Sequence, residues 1–438
     1  MRIHPTSTRT ARSLGAYPVD RRPLAIAAYR RLWTASVVCA VGGSFSAVAV
    51  PAQLFTLTGS SATIGASAAV AFIALVLAAL YSGALADLID RRAILLTAHC
   101  GLATTYTALW AHAALGGHSV PVLLALVACQ ALTLGTIMTT MGAAVPRLVP
   151  TELLPAANSL NSLVRYAGSI LGPVLAGILI PLVGLGTLYL LDAVALLAVV
   201  RAVVTLPPLP PHAGPTSPSD DPQPHARRRR PTIRQALAGF RYLAASRLLV
   251  AVIAVDLAAM VFGMPVALFP ELARHTYGGP AGGGPQLGLL YAAYPAGVLA
   301  AGLMSGTFTR TRRHGALMAT AAATWGVTVV VLGLAAHLWI ALVALTLGGA
   351  ANFLLSTFRN AIAQAHTDDA MRGRIQGSLT VVLIGGPQIA NLLHGAAAAT
   401  HGPRTVICVG GLLTTVTVAA IAWATPELRH DTAGRRNH

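Results

Sequence analysis

Long apolar blocks alternate with short polar breaks along the whole of this 438-residue chain. A helix needs about 20 apolar residues to cross the hydrocarbon core of a bilayer. Twelve blocks meet that length, at 32–54, 63–86, 93–115, 119–141, 157–180, 183–206, 247–268, 287–308, 314–336, 339–361, 378–400 and 403–425. The expected fold class is all-α and integral to the membrane, with twelve transmembrane helices. One break differs in kind. Residues 207–231 contain Pro207, Pro208, Pro210, Pro211, Pro215, Pro218, Pro222 and Pro224 and end in Arg227-Arg228-Arg229-Arg230. Such a stretch builds no core and reads as a linker whose basic cluster lies against anionic lipid. Behind it, Ile233, Leu237, Phe240 and Ala244 recur at helical spacing with Arg234 and Arg241 between them. That pattern predicts a short helix in the membrane interface.

The linker leaves six blocks on either side. The expected units are a tail at 1–31, a six-helix bundle at 32–206, the linker at 207–246, a second six-helix bundle at 247–426 and a tail at 427–438. The halves look like weak copies of each other. Pro150-Thr151-Glu152-Leu153-Leu154 follows the fourth block and Thr367-Asp368-Asp369-Ala370-Met371 the tenth; Gly172-Pro173 lies in the fifth and Gly386-Pro387 in the eleventh. Paired halves interrupted by Gly and Pro at corresponding places point to a transporter with its site between them.

Composition supports the bilayer reading: 55% of residues are hydrophobic and 10% charged, too few charges for the surface of a soluble chain this long. The formal charge is +17, and all 30 basic residues are Arg. Without Lys there is no P-loop ATPase and no Schiff base. The positive charge does not imply nucleic acid, because the Arg residues sit between apolar blocks. Arg30-Arg31, Arg91-Arg92, Arg147, Arg227 to Arg230, Arg310, Arg312-Arg313, Arg372, Arg374 and Arg429 fall in one set of connections, against Arg274 and Arg404 in the other. The positive-inside rule then puts both termini in the cytoplasm of a multi-pass protein of the cell membrane. Arg21-Arg22 precedes the first block as a twin pair, and the full-length block behind it reads as a retained anchor rather than a cleaved signal. Cys39, Cys100, Cys129 and Cys408 lie in apolar blocks without metal spacing, as packing residues do.

The second block ends in Gly83-Ala84-Leu85-Ala86-Asp87-Leu88-Ile89-Asp90-Arg91-Arg92. Gly83 permits close helix approach. Asp87 stands where a carboxylate can face a helix N-terminus or an Arg, a contact that can break when the halves rock. The plain alternative is a charged loop. This segment resembles the loop signature of the major facilitator superfamily, matching at Gly83, Leu85, Asp87, Arg91 and Arg92, while Leu88 and Asp90 depart from it. Ser305-Gly306-Thr307-Phe308-Thr309-Arg310 is a degenerate counterpart in the second half. Gly168, Gly172, Pro173, Ala176 and Gly177 in the fifth block resemble the antiporter motif of facilitator exporters, with Ala176 opening the final small-residue pair; ordinary small-residue packing is the alternative. The Arg that many proton-coupled relatives carry in the fourth span is absent, and Gln130 is the notable polar residue there. Tyr29-Arg30-Arg31-Leu32-Trp33, Val50-Pro51-Ala52-Gln53-Leu54, Gly239-Phe240-Arg241-Tyr242-Leu243, Phe262 to Pro270, Leu289 to Ala293 and Met371 to Ile375 look like the enterobactin-exporter branch of the superfamily. The resemblance implies two six-helix bundles that alternate access to a central cavity, siderophore or drug efflux, and a cavity lined by spans one, four, seven and ten. Those spans would offer Phe45, Gln53, Gln130, Asp256, Met260, Asn352 and Phe353.

Ionisable groups inside a membrane are expensive and are functional candidates by default. Asp256 in the seventh block is the first candidate for proton coupling, with Asp192 and His394 behind it. Asp192 lies on a span that is usually peripheral in this fold, which favours a structural role, and His394 can equally be a satisfied packing residue. Arg165 is a candidate contact for an anionic substrate, although its stem can also snorkel. Arg201 and Arg359 near helix ends need only snorkelling. No metal spacing and no nucleophile–base pair is found, so no catalytic residue, metal or cofactor is expected and the chain is not read as an enzyme. The expected partners are a small-molecule substrate, protons and membrane lipids, with the protein acting as a monomer. The expected function is proton-driven efflux of a siderophore-like or other amphipathic molecule. A multidrug or antibiotic pump is the main alternative, ahead of an uptake permease or a non-transporting sensor.

Overall fold

In the lipid core a backbone N–H or C=O has no water to bond, so apolar segments close their hydrogen bonds within helices. The computed structural model describes residues 20–86, 89–207, 246–305, 313–366 and 372–430, and it is helical almost throughout. The main helices are α1 (Ala27–Gly42), α2 (Ser46–Thr58), α3 (Ser61–Ala86), α4 (Arg91–Ala114), α5 (Val120–Leu148), α6 (Leu154–Val204), α7 (Arg247–Gly263), α8 (Pro285–Leu303), α9 (His314–Leu334), α10 (Leu338–Ala365), α11 (Arg372–His401) and α12 (Pro403–Ala424). Among the described residues, eight helical stretches are long and apolar enough to cross a membrane. Large apolar side chains such as Leu80, Leu182, Leu303 and Trp423 lie exposed on the outside. The linker residues 208–245, with the expected interfacial helix, lie outside the described residues, as do most of both tails.

Four blocks depart from simple rods. The first splits at 43–45 into α1 and α2, where Gly42 and Gly43 carry no side chain and a methyl group on Gly43 would come within 2.7 Å of the Cys39 sulfur. The fifth and sixth blocks form one trace, α6, reversed at Gly184 alone (φ 80°, ψ 160°), a conformation that favours glycine. The seventh ends at Gly263, because Pro265 and Pro270 lack the N–H a continuing helix needs; short 3-10, α and π turns carry the chain on to Thr276.

The end of the molecule holding Asp20 and Pro426 is here called the terminal end, and the opposite end the distal end. The halves come together distally. A methyl group on Gly65 of α3 would approach the Asn391 carbonyl oxygen of α11 to 2.6 Å, and one on Gly395 of α11 the Ser61 carbonyl oxygen to 2.5 Å. The first arm of α6 meets α8 in the same way: a methyl group on Gly177 would stand 2.7 Å from the Gly284 carbonyl oxygen. Ser61 Oγ donates across this seam to Glu271 Oε2 at 2.5 Å, and Phe55 meets the His275 ring edge-on at 5.9 Å between centroids.

Candidate functional site

Along the face of the first half, where α11 of the second half approaches, lies a cleft of about 340 Å³. Ser46, Val50 and Pro51 of α2, Phe72 and Leu75 of α3 and Gln130 and Leu134 of α5 line it, and Gln388 of α11 reaches it from the second half. The wall is mostly apolar with a few hydrogen-bonding groups, as suits a bulky amphipathic molecule. Gln130 Nε2 donates to the Tyr106 hydroxyl at 3.4 Å.

The other cavity candidates have different neighbours. Phe45 is buried in the first half. Gln53 is buried too, its Oε1 accepting from the Tyr189 hydroxyl at 2.7 Å. Met260 of α7 lies against Gly386 of α11, where an added methyl group would meet its Cβ at 3.2 Å. Asn352 Oδ1 accepts from the Tyr294 hydroxyl at 2.9 Å, and the Phe353 ring faces Gly302 of α8. Arg165 is exposed, with its guanidinium 5.5 Å above the Tyr166 ring and a long 3.4 Å bond to Ser162.

The two intramembrane acids are held in contrasting ways. Asp256 of α7 faces Arg359 of α10, whose Nη1 donates to Oδ1 at 2.8 Å. Both residues are buried, at 2% and 4% exposure, so Arg359 is not the snorkelling end-of-helix residue expected from its position in the sequence. α10 runs on to Ala365 and places Arg359 well inside the bundle. Asp192, on the second arm of α6, is fully buried and accepts from the backbone N–H of Ser46 at 2.7 Å, from that of Phe45 at 3.3 Å, and from the Ser46 hydroxyl. It therefore caps the N-terminus of α2 from another helix, at the break in the first span. His394 is buried with Nδ1 3.2 Å from the Met264 carbonyl oxygen.

In the loop motif, Gly83 lies within α3 and Leu85 is exposed, while Asp87 lies outside the described residues. Asp90 caps α4 by accepting from the Arg92 N–H at 2.8 Å, and Arg92 Nη2 donates to the Val204 carbonyl at the end of α6. Arg91 opens α4. The fifth-block motif faces two ways. A methyl group on Gly168 would come within 2.5 Å of the Ala40 carbonyl oxygen, and Gly172 lies against Ser44. Both contacts stay inside the first half. Gly177 and the Pro173 carbonyl meet α8 of the second half, with Ala176 fully buried.

Tyr189, Tyr294 and Gln388 were not singled out from the sequence, and Arg359 was read there only as a snorkelling residue. Arg359 carried the clearest signal, an Arg inside an apolar block seven positions beyond Asn352. The tyrosines carried none, because their hydroxyl partners lie on remote segments.

The family profile described as transmembrane secretion effector matches residues 20–438. The chain is 28% identical over 386 residues to the enterobactin exporter EntS of Citrobacter koseri, covering 88% of each chain. It is 27% identical over 405 residues to EntS of Escherichia coli strain K12, covering 92% of this chain and 93% of that one. Among solved structures, the nucleoside transporter NupG superposes with a TM-score of 0.68 at 13% identity, covering 91% of this chain and 98% of its own. A bacterial homologue of the iron transporter ferroportin, in an inward-facing state, gives 0.65 at 16% identity over 90% and 98%. These likenesses show the fold, and the profile shows the family: the chain is a multi-pass membrane transporter that belongs to the transmembrane secretion effector family of the major facilitator superfamily.

Proposed function

We propose that this transporter is a proton-driven exporter, which moves a siderophore-like or other amphipathic small molecule out of the cell by alternating access. The arginine asymmetry puts the terminal end in the cytoplasm, so the described state is closed outward and its cleft is loaded from inside. The near full-length likeness to enterobactin exporters supports efflux and the cargo class. The observation that carries the coupling is the buried Asp256–Arg359 pair joining α7 to α10. A proton arriving from outside neutralises Asp256 and frees Arg359; loss of the proton to the cytoplasm restores the pair. The two arrangements bias the two rocking states. Each proton entering contributes about 2.3 kcal/mol per 100 mV. The cleft has few directional groups, which also suits a multidrug pump.

Proteoliposomes with an imposed pH gradient test both parts. Uphill movement of enterobactin that collapses with the gradient is the expected result. Gradient-independent movement overturns the coupling, and uphill movement of lipophilic dyes but not of enterobactin overturns the siderophore reading.

A further inference from the structure

Away from the seam, α1 and the second arm of α6 part at the terminal end around a groove of about 580 Å³. Arg31 and Arg201 line it, with Thr34 and Thr205 beside them and small residues, Ala35 and Ala202, as its floor. Thr34 Oγ1 donates to the carbonyls of Arg30 and Arg31, and Thr205 Oγ1 to that of Ala202. The threonine protons are thus engaged, and the donors the groove presents are the two guanidinia, each with up to five N–H groups. Among the described residues neither guanidinium meets a carboxylate, and no carboxylate lines the groove. Arg92 adds a third positive charge at the same end of α6 through its bond to the Val204 carbonyl. That charge offsets the negative helix terminus, which would otherwise repel an anion.

The groove opens onto an apolar stripe. Val38 stands on α1 one turn deeper than Thr34, and Leu197 and Val194 continue the Arg201 face of α6 toward mid-membrane. All three are exposed, at 51%, 60% and 54%. A soluble anion would use the guanidinia and leave the stripe bare. A diacyl phospholipid uses both, because its charge and its chains meet at this depth. Paired cations at a helix–helix groove on the positive side of a membrane are the general setting for anionic headgroups. We propose that this groove is a binding site for one anionic phospholipid, its phosphodiester held by Arg31 and Arg201 and an acyl chain laid along Val38, Leu197 and Val194.

The full chain, purified in neutral detergent, is titrated with phosphatidylglycerol, with phosphatidylcholine and with inorganic phosphate. Binding is read by native mass spectrometry and by thermal unfolding. Phosphatidylglycerol should bind and protect, and the other two should not. Arg31→Gln with Arg201→Gln should weaken phosphatidylglycerol binding about thirtyfold, whereas Arg274→Gln with Arg313→Gln, removing the same charge elsewhere, should leave it unchanged. A photoactivatable phosphatidylglycerol on the unmodified protein gives a reading independent of any variant's folding, with cross-links expected in 31–38 and 194–205. Equal protection by phosphatidylcholine, saturation by phosphate alone, undiminished affinity in the first double variant, or cross-links confined to other segments overturns the proposal.

Discussion

Asp256 and Asp192 are both buried carboxylates, and their partners differ in kind. Asp256 is matched by one cation. Removing one member of a buried pair strands the other charge at a cost of about 3–5 kcal/mol, whereas removing both can be nearly neutral. Asp256→Asn is therefore expected to lose both thermal stability and uphill transport. Adding Arg359→Gln should restore stability in detergent unfolding without restoring pH-driven accumulation in proteoliposomes; a double variant that pumps uphill would free the pair of any coupling role. Asp192 instead accepts bonds that organise the break in the first span. Asp192→Asn keeps an acceptor oxygen but loses the charge, and should cost about 1–2 kcal/mol while leaving uphill transport in place. Lost coupling at full stability would move the proton site to Asp192. That these acids lie inside the helical bundle was legible in the sequence, since a charge inside an apolar block announces itself. Their partners were not, because Arg359 lies 103 positions from Asp256 and Ser46 lies 146 from Asp192.

At the scale of elements, the block pattern placed the helices well and missed their breaks. The run through 43–45 stays free of charge, so hydropathy continued across it, and Gly42-Gly43-Ser44 was the available sign of a split. Gly184 was similarly hidden among apolar neighbours. The fifth-block glycines were legible as packing residues, but the sequence could not tell that they serve two interfaces. That division can be tested. Gly177→Ala places a methyl group 2.7 Å from the Gly284 carbonyl oxygen, across the seam between the halves. It should shift the population toward distal opening, read as faster labelling of Ser61→Cys from the distal side. Gly168→Ala meets Ala40 within one half, and should lower the unfolding temperature without that shift. Equal labelling rates in the two variants would remove the distinction.

For the whole molecule, two linked halves followed from the linker and the repeated Gly-Pro signals, whereas the end at which they touch did not. Under the proposed alternating access, that contact belongs to one of two states rather than to the fold. Ser61→Cys with Glu271→Cys, joined by a short bifunctional reagent, should hold the distal seam closed and stop transport until the link is cleaved; undiminished transport by cross-linked protein would show that the seam need not open. Orientation is a separate test: Gly282→Cys should be labelled by impermeant maleimide from outside intact cells, and Thr216→Cys only in inverted vesicles. Both reacting from one side would refute the twelve-span topology. Beside side-chain contacts such as Ser61–Glu271 and Phe55–His275, the seam brings main chain against main chain at Gly65, Gly395, Gly177 and Gly288. Such a surface offers selection few side chains to vary. On the proposed function, cargo preference can change at the side chains of the cleft while a closure made by main chain beside it stays as it is.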